Sequence, residues 1–367
     1  MSEYLLIILW IGLMALFRNF INTEETIEVH GKKKECETWW FALLVFAPLI
    51  WMAVNRGSHI GDTQTYINTY KQMPDSLSQL KAYYESLEKD KWFYMSEALI
   101  RVFISKDYKV CFFLIAVFQA FAIIRIYRRY STDYLAAIFI FVASGDFVSW
   151  MQNGTRQFVA VCICLLAVPW MIEKKYIPAI ITIFIASRFH GSALLMIPIF
   201  LVCVGKPWNA RTLLVLVVTL LAIAFVSQFT AWLDLALDDT QYTNVVTDWQ
   251  SWNDDGTNPI RVLIYSLPMI LSLVSIRYIR EENNIIINFC TNMSIVTAGL
   301  YLVSMVTSGI FIGRLPIYAS LLSNGVLLPW EINEVFNESS SLYMKAIAFG
   351  GFLLLYVYQM HFQWGVF

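Results

Sequence analysis

The chain alternates long apolar runs with short polar connections over almost its whole length. Ten of these runs approach the roughly 20 residues that a helix needs to cross the ~30 Å hydrocarbon core of a bilayer. They cover residues 3–17, 39–54, 108–126, 132–150, 154–172, 211–231, 260–279, 285–308, 312–330 and 343–361. The pattern therefore predicts an all-α protein that crosses a membrane many times.

A further run, residues 176–204, is too long for one crossing and has Arg188 and His190 near its centre. As a single helix it would be about 43 Å long. Basic residues mark cytoplasmic loops, and basic clusters flank this run at residues 174–175 and 206–211. Both flanks are cytoplasmic only if the chain enters and leaves on one side. We therefore expect a short helical hairpin with its tip at residues 189–192.

The same rule orients the rest of the chain, because residues 18–34, 125–129 and 277–280 are also basic. Residues 91–105 must then not cross the membrane, because a crossing here would place residues 125–129 outside. Their sequence predicts an amphipathic interfacial helix with a Glu97–Arg101 pair at i,i+4. This helix belongs to an outer loop, residues 56–107. The predicted topology is a single membrane domain, residues 1–367, with about twelve crossings, each hairpin arm counting as one, and with both termini outside.

Composition supports a membrane protein, since 58% of the residues are hydrophobic and only 14% are charged, against about 25% in soluble proteins. The net charge of -1 argues against nucleic acid as a partner. The six cysteines show neither a disulfide framework nor a zinc spacing. The lipid bilayer is therefore the partner that composition predicts.

Several arginines fall on the predicted outer side, where arginine is not needed to fix orientation. A guanidinium near the centre of a membrane helix costs roughly 2.5 to 3.5 kcal/mol on insertion scales, so it indicates a partner or a function. Converging guanidiniums suit a phosphate or pyrophosphate. Structural capping by Arg188 and His190 and snorkelling by Arg261 and Arg314 are the competing interpretations. The predicted pyrophosphate ligands are Arg56, Arg156, Arg188, Arg261 and Arg314.

Carboxylates and aromatic residues accompany these arginines. Asp62 is a candidate general base, and Asp146 is a second outer carboxylate; either could instead pair with an arginine. Residues 232–259 form an acidic, Trp-rich outer loop in which Trp249 and Trp252 could stack on a sugar, although a solvated acidic loop has the same composition. No metal site is predicted, because adjacent aspartates in this loop point in different directions.

The motifs GDTQTY, GTRQFVA, SRFHGSALLMIP and GRLPIY occur in this order along the chain. Together they resemble the EpsG-type family of Wzy-like polysaccharide polymerases, with its Asp-x-x-x-Tyr, Gly-x-Arg-Gln, His-x-Ser-Ala and Arg-x-x-x-Tyr motifs. The resemblance covers most of the chain between residues 55 and 318. It places Gln157 and Tyr318 in family motifs and makes them candidate glycan contacts together with Asp146.

The resemblance implies a GT-C-like glycosyltransferase in the bacterial inner membrane. Such enzymes transfer a growing glycan from undecaprenyl pyrophosphate to an undecaprenyl-pyrophosphate-linked repeat unit, for O-antigen or exopolysaccharide. A chain-length regulator is a candidate partner, and no cofactor is expected.

The reaction needs cations for the leaving pyrophosphate and a base for the acceptor hydroxyl. Asp62 or His190 would be the base, Arg156, Arg188 and Arg314 would bind pyrophosphate, and direct displacement would invert the anomeric carbon. Two other functions stay open on the sequence. An O-antigen ligase would use the same donor, and a flippase for lipid-linked oligosaccharide would also need a basic cavity.

Overall fold

Helices form in most of the apolar runs. The structure is a computed structural model that describes residues 3–237, 251 and 254–366. Several helices begin at an Asp or Asn whose side-chain oxygen accepts a hydrogen bond from a backbone N–H of the first turn. This bond satisfies a donor that a helix start otherwise leaves without a partner. The residues that cap helices in this way are Asp107, Asp133, Asn209, Asn258, Asn284 and Asn337.

The chain forms two compact units, and the first comprises residues 1–167, 181–194 and 337–367. Two helices, Thr155–Ile172 and Tyr176–Phe189, each have residues in both units. The elements with residues in this unit are α1 (Glu3–Phe17), β1 (Glu24–Val29), β2 (Lys32–Glu37), α2 (Trp39–Asn55), α3 (Thr63–Gln72), α4 (Leu77–Ser86), α5 (Lys91–Phe103), α6 (Tyr108–Tyr130), α7 (Tyr134–Ala143), α8 (Thr155–Ile172), α9 (Tyr176–Phe189) and, at the end of the chain, a helix at Glu338–Tyr358.

The second unit comprises residues 168–180 and 195–336. Its long central helix packs against two other apolar helices, which come before it in the chain. The helices of this unit are α10 (Met196–Cys203), α11 (Ala210–Ala224), α12 (Val226–Leu237), α13 (Pro259–Val274), α14 (Ile276–Glu282), the central α15 (Ile285–Met305), α16 (Ile317–Leu322) and α17 (Leu328–Trp330). The helix at Glu338–Tyr358 in the first unit is therefore α18.

Membrane-spanning capacity is supported, but the twelve predicted crossings are not confirmed. Among the described residues, four helices are long and apolar enough to span a membrane, and the number rises to seven if three sharply bent helix pairs each count as one span. Other predicted runs form helices of fewer than 18 residues, and the run 211–231 bends by 105° between α11 and α12. In the run 176–204, the first α-helix ends at Phe189, and His190, which is not helical, lies within the predicted tip, residues 189–192.

The basic segment between the first two apolar runs forms a β-hairpin, so the all-α prediction is wrong there. Strands β1 and β2 pair antiparallel, and Glu28 lies opposite Lys33. His30 and Gly31 form the turn with φ of +49° and +77°, as two-residue hairpin turns require. The alternation in TIEV was the signal that could have predicted this hairpin.

The hairpin is anchored to the C-terminal end of α6. Lys34 Nζ donates hydrogen bonds to the carbonyl oxygens of Arg129 at 2.9 Å and Ser131 at 2.6 Å. Arg128 is buried, pairs with Glu25, and lies 4.4 Å from the ring centroid of Trp39. Two of the predicted cytoplasmic loops therefore lie at one end of the first unit, as the predicted topology requires.

The start of α1 and the end of α18 meet near the turn before α8. The Tyr356 hydroxyl donates to the carbonyl oxygen of Tyr4 at 2.8 Å, and the Tyr4 hydroxyl donates to Gln152 Oε1 at 2.6 Å. Because α1 is 15 residues long, this end lies about 21 Å from Arg18 and the hairpin. Tyr4 and Tyr356 therefore lie near the segment that leads into the GTRQFVA motif.

Helix α5 forms at the predicted place, but the predicted Glu97–Arg101 pair is wrong. Arg101 donates instead to the carbonyl oxygens of Met73 at 3.0 Å and Lys71 at 3.2 Å. Carbonyls at the end of a helix, here α3, lack intrahelical partners and attract a cation. Glu97 is buried and accepts a contact from Cys111 Sγ at 3.9 Å.

We predict that a membrane-impermeant maleimide added to spheroplasts labels Lys81→Cys but not Lys33→Cys. The Lys81 side chain is 88% exposed in the predicted outer loop, and Lys33 is exposed on the predicted cytoplasmic hairpin. All six native cysteines are buried, so background labelling should be low. Both variants should react after permeabilisation. Labelling of Lys33→Cys alone in intact spheroplasts would reverse the predicted sidedness.

Candidate functional site

The first two motifs, GDTQTY and GTRQFVA, are joined through Gly61 and Asn153. The backbone N–H of Asp62 donates to Asn153 Oδ1 at 2.9 Å. Gly61 has a φ of +48°, and a Cβ at this position would lie 2.1 Å from Asn153 Oδ1. A left-handed backbone and a close approach both require glycine here. The GDTQTY loop is therefore tied directly to the start of the NGTRQ segment.

Arg156 lies in the first turn of α8 and is held by three side chains. Its Nη1 donates to Asp90 Oδ2 at 3.0 Å and to the Tyr94 hydroxyl at 2.8 Å. The Tyr66 hydroxyl is a further hydrogen-bond partner. The Arg156 side chain is still 26% exposed. The guanidinium is therefore fixed in orientation but remains accessible to an anion.

Asp90 gives Arg156 its counter-charge from an unusual backbone conformation. Its φ is +50°, and its carboxylate does not cap α5, the helix that it precedes. Burial raises the pKa of Asp90, although Arg156, Lys89 and the backbone N–H of Gly191 act in the opposite direction. Asp90 therefore links Arg156 electrostatically to the tip of the run 176–204. Sequence reasoning missed Asp90, because a loop aspartate before a helix normally indicates only a cap.

The tip of the run 176–204 packs against the start of α5. The ring of Phe189 meets that of Trp92 edge to face, with 6.2 Å between centroids. Arg188 is exposed and makes no hydrogen bond or ion pair with the described residues. The Nδ1 atom of His190 lies 2.7 Å from Ser192 Oγ. Arg188 and His190 thus flank Phe189, which contacts Trp92 of α5.

Arg56 occupies a different environment from the other two arginines of this unit. It is buried, and it donates to Thr63 Oγ1 at 3.1 Å and to the carbonyl oxygen of Ala53 at 2.7 Å. Its guanidinium carbon lies 4.0 Å from the ring centroid of Phe112. These contacts favour a positioning role that fixes the GDTQTY loop, rather than the predicted contact with pyrophosphate.

The predicted carboxylates and glycan contacts of this unit differ in accessibility. Asp62 is exposed, as a general base for a bound substrate would need to be. Asp146 is buried and accepts a hydrogen bond from Trp150 Nε1 at 3.2 Å. Gln157 is also buried, so contacts of Asp146 and Gln157 with a glycan are disfavoured. The predicted sugar-stacking residues Trp249 and Trp252 lie outside the described residues.

Glu97 is a further ionisable residue of the cluster that sequence reasoning did not assign to it. Its side chain is 2% exposed. Burial raises the pKa of Glu97 from its ordinary 4.5 to about 8, although Arg156 and Arg56 lower it. The carboxyl is therefore mostly protonated at neutral pH and adds little negative charge beside Arg156. An acid on the apolar face of an amphipathic helix was the available signal.

In the second unit, Asp254 organises the loop that leads to Arg314. Its carboxylate accepts hydrogen bonds from the backbone N–H groups of Gly309 at 3.0 Å and Ile310 at 2.9 Å, and from Ser308 Oγ at 2.5 Å. Burial alone would raise the pKa of Asp254, but these hydrogen bonds lower it. Asp254 therefore acts as a fixed anionic centre for this loop, a role that its sequence context did not predict.

The predicted site residues of the second unit lie in three settings. Arg261 lies over the rings of Tyr265 and Tyr301, with 5.3 and 5.9 Å to their centroids. Arg314 ends a short 3₁₀ turn and is partly exposed. Tyr318 is buried at 1% exposure, which disfavours a glycan contact. Arg314 keeps the accessibility that an anion ligand needs.

Metal ligands do not cluster in the part of the chain that the structure describes. No group of three or more His, Cys, Asp or Glu side chains is close enough there to hold a metal ion. Within these residues, Asp90 pairs with Arg156, and Glu97 contacts Cys111. The chemistry that this arrangement offers is anion binding by guanidinium groups.

These features define a class of protein: a helical membrane protein in which the GDTQTY and GTRQFVA motifs meet around an accessible, pre-oriented arginine. The model of the EpsG family matches residues 39–364. This match covers most of the chain, so the protein belongs to the EpsG family, as its motifs predicted. No curated protein and no solved structure matched the chain in the comparisons.

Replacing Gly61 with alanine should weaken the link between the two motif loops. We expect the melting temperature of Gly61→Ala to fall by several degrees, because a left-handed alanine costs roughly 1 to 2 kcal/mol and its Cβ also displaces Asn153. Gly31→Ala is the matched control, since Gly31 also has a positive φ but has open space around it. Equal losses in both variants would mean that the contact with Asn153 contributes nothing.

The stability of the protein should depend on pH through Glu97. Because the folded chain holds this proton up to about pH 8 and the unfolded chain releases it near 4.5, the free energy of unfolding should decrease as pH rises through this window. The expected slope is roughly 1.4 kcal/mol per pH unit. Melting curves of Glu97→Gln between pH 5 and 8 should lack this slope. Glu85→Gln, at a 65% exposed side chain, should keep it; an unchanged slope in Glu97→Gln would exclude Glu97 as its source.

Proposed function

We propose that the protein is a glycosyltransferase that polymerises polysaccharide repeat units. It would transfer the growing glycan from undecaprenyl pyrophosphate to an undecaprenyl-pyrophosphate-linked acceptor unit, on the outer side of the bacterial inner membrane. Membership of the EpsG family supports a polysaccharide polymerase. The observation that carries the proposal is that the Asp-x-x-x-Tyr and Gly-x-Arg-Gln motifs meet at Arg156 through Tyr66.

The leaving group in this proposal is stabilised by pre-oriented arginines. Asp90, Tyr94 and Tyr66 hold the Arg156 guanidinium before substrate arrives, so little reorganisation is needed when charge develops on the pyrophosphate. Arg188 offers a second guanidinium whose donors are not used by the described residues. Arg261 and Arg314 keep their predicted role as further cations, and that part of the proposal rests on the sequence.

The acceptor hydroxyl attacks the anomeric carbon while the bond from that carbon to the pyrophosphate oxygen breaks. Asp62 or His190 takes the hydroxyl proton, and the anomeric configuration inverts. The exposure of Asp62 and the position of His190, two residues after Arg188 in the chain, support these two candidates. In this mechanism guanidiniums carry the charge stabilisation, and the reaction proceeds without a metal ion or a cofactor.

The partners in this proposal are the donor and acceptor lipids and the surrounding bilayer, and a chain-length regulator is a further candidate. Ligase and flippase activities remain the alternatives. In a host that makes O-antigen, deletion of the gene separates them on a glycan ladder gel. One repeat unit on lipid A means that polymerisation is lost, whereas none means that ligation or lipid export is lost.

Arg188→Lys should lose polymerisation while keeping normal membrane levels. Lysine keeps the charge, but only arginine has the planar fork that binds phosphate oxygens in pairs. The loss of one preorganised donor predicts a rate decrease of about 30- to 1000-fold. Polymer length in the complemented deletion strain and the rate with purified protein measure this effect.

Arg280→Lys is the matched control, because Arg280 is also exposed but lies in a predicted cytoplasmic loop. It should make polymer at the wild-type level. Wild-type polymer from Arg188→Lys as well would remove Arg188 from the site. If Arg188→Lys is missing from the membrane, binding of the lipid donor by the detergent-purified variant replaces the cell assay, and unchanged binding there contradicts the proposed role.

A further inference from the structure

A cavity of about 810 Å³ lies in the first unit, far from the candidate site. Apolar residues of α1, α7 and α18 line its walls, among them Ile8, Ile11, Phe139 and Phe349. The rings of Phe139 and Phe349 meet edge to face with 5.0 Å between centroids, which closes one wall. In a protein that spans a bilayer, such walls match a hydrocarbon chain.

Gly12 keeps this cavity open. It lines the cavity from the middle of α1, and no atom lies within 4 Å of the position that a Cβ would take. Glycine inside a helix costs about 1 kcal/mol relative to alanine. A larger side chain at this position would therefore enter the cavity without disturbing a neighbour.

The cavity has a polar end that carries both signs of charge. Arg18 binds Glu24 through Nη2 at 2.5 Å and the buried Glu37 through Nε at 3.1 Å, which leaves its Nη1 without a partner among the described residues. One oxygen of Asp133 accepts a hydrogen bond from the Ala136 N–H at 3.0 Å. Of the charged side chains that line the cavity, Arg18 is positive and Glu24 and Asp133 are negative.

We propose that this cavity binds a phospholipid whose headgroup carries an ammonium group, such as phosphatidylethanolamine. An acyl chain would lie along the apolar walls, the phosphate would face Arg18 Nη1, and the ammonium group would face Glu24 and Asp133. The lining carries one positive and two negative charges, so its net charge disfavours an anionic headgroup. A hydrocarbon without a headgroup would leave Arg18 Nη1 and the excess negative charge of the polar end unmatched.

The location separates this lipid site from the proposed transfer reaction. Arg18 lies about 21 Å along α1 from Tyr4, and Tyr4 contacts Gln152 beside the outward motif. The polar end lies next to the β-hairpin, in the predicted cytoplasmic leaflet. The bound lipid is therefore a structural ligand of the first unit and does not depend on the proposed function.

The test is the melting temperature of the delipidated, detergent-purified protein with added phosphatidylethanolamine or phosphatidylglycerol of the same acyl chains. Phosphatidylethanolamine should raise it by about 3 °C or more, and phosphatidylglycerol should raise it less. Gly12→Leu fills the cavity and should abolish the rise. Gly350→Leu is the matched control, since Gly350 also has open space around it but does not line the cavity, and it should keep the rise.

Asp133→Asn tests the headgroup separately. Asparagine still caps α7 as well as aspartate does, but it removes one negative charge. The ratio of the binding constants for phosphatidylethanolamine and phosphatidylglycerol should therefore fall about two- to fivefold. The inference is overturned if both lipids raise the melting temperature equally in the wild type, or if Gly12→Leu keeps the rise. If Gly12→Leu does not fold, an unchanged preference in Asp133→Asn overturns it. Displacement of phosphatidylethanolamine by undecaprenyl phosphate would assign the cavity to the substrate lipid instead.

Discussion

A guanidinium at the start of an apolar helix must have both a counter-charge and hydrogen-bond acceptors, and the first unit is arranged around this requirement at Arg156. An arginine there also opposes the helix dipole, so its neighbours must compensate for more than desolvation. Asp90 supplies the charge, and Tyr94 and Tyr66 supply oxygens. These three residues come from the segment before α5, from α5 itself and from α3. Arg156 therefore joins α3, α5 and the segment before α5 to the start of α8.

Two other arginines in the same unit show how environment separates structural from binding roles. Arg56 is enclosed by a backbone carbonyl, a threonine hydroxyl and an aromatic ring, and so it stabilises the fold. Arg188 is exposed at the end of α9 and has no such contacts among the described residues. Composition treats these arginines as equivalent. The difference arises because a buried guanidinium must satisfy its donors within the protein, whereas an exposed one can keep them for a ligand.

The sequence was most informative where a pattern is long or a motif is ordered. Long apolar runs predicted most of the helices, and four short motifs predicted the EpsG family, which the family match confirms. Local patterns could not identify Asp90, because its role depends on Arg156, which is 66 residues away. The β-hairpin was missed because its basic residues also fit a cytoplasmic loop. Glu97 was paired with the wrong arginine, because i,i+4 spacing takes no account of the free carbonyls at the end of α3.

The first unit is discontinuous in sequence, and this has a consequence for how the protein is made in the cell. Its last segment, residues 337–367, includes Tyr356, whose hydroxyl bonds the backbone of Tyr4 in the first helix. Tyr4 and Tyr356 are 352 positions apart, so the residues between them must be synthesised before the first helix meets this partner. Until then the unit lacks one of its walls inside the bilayer. During synthesis, the early helices stay in the membrane for the longest time without their final contacts. We therefore expect them to depend on the insertion and quality-control machinery more than the later helices do.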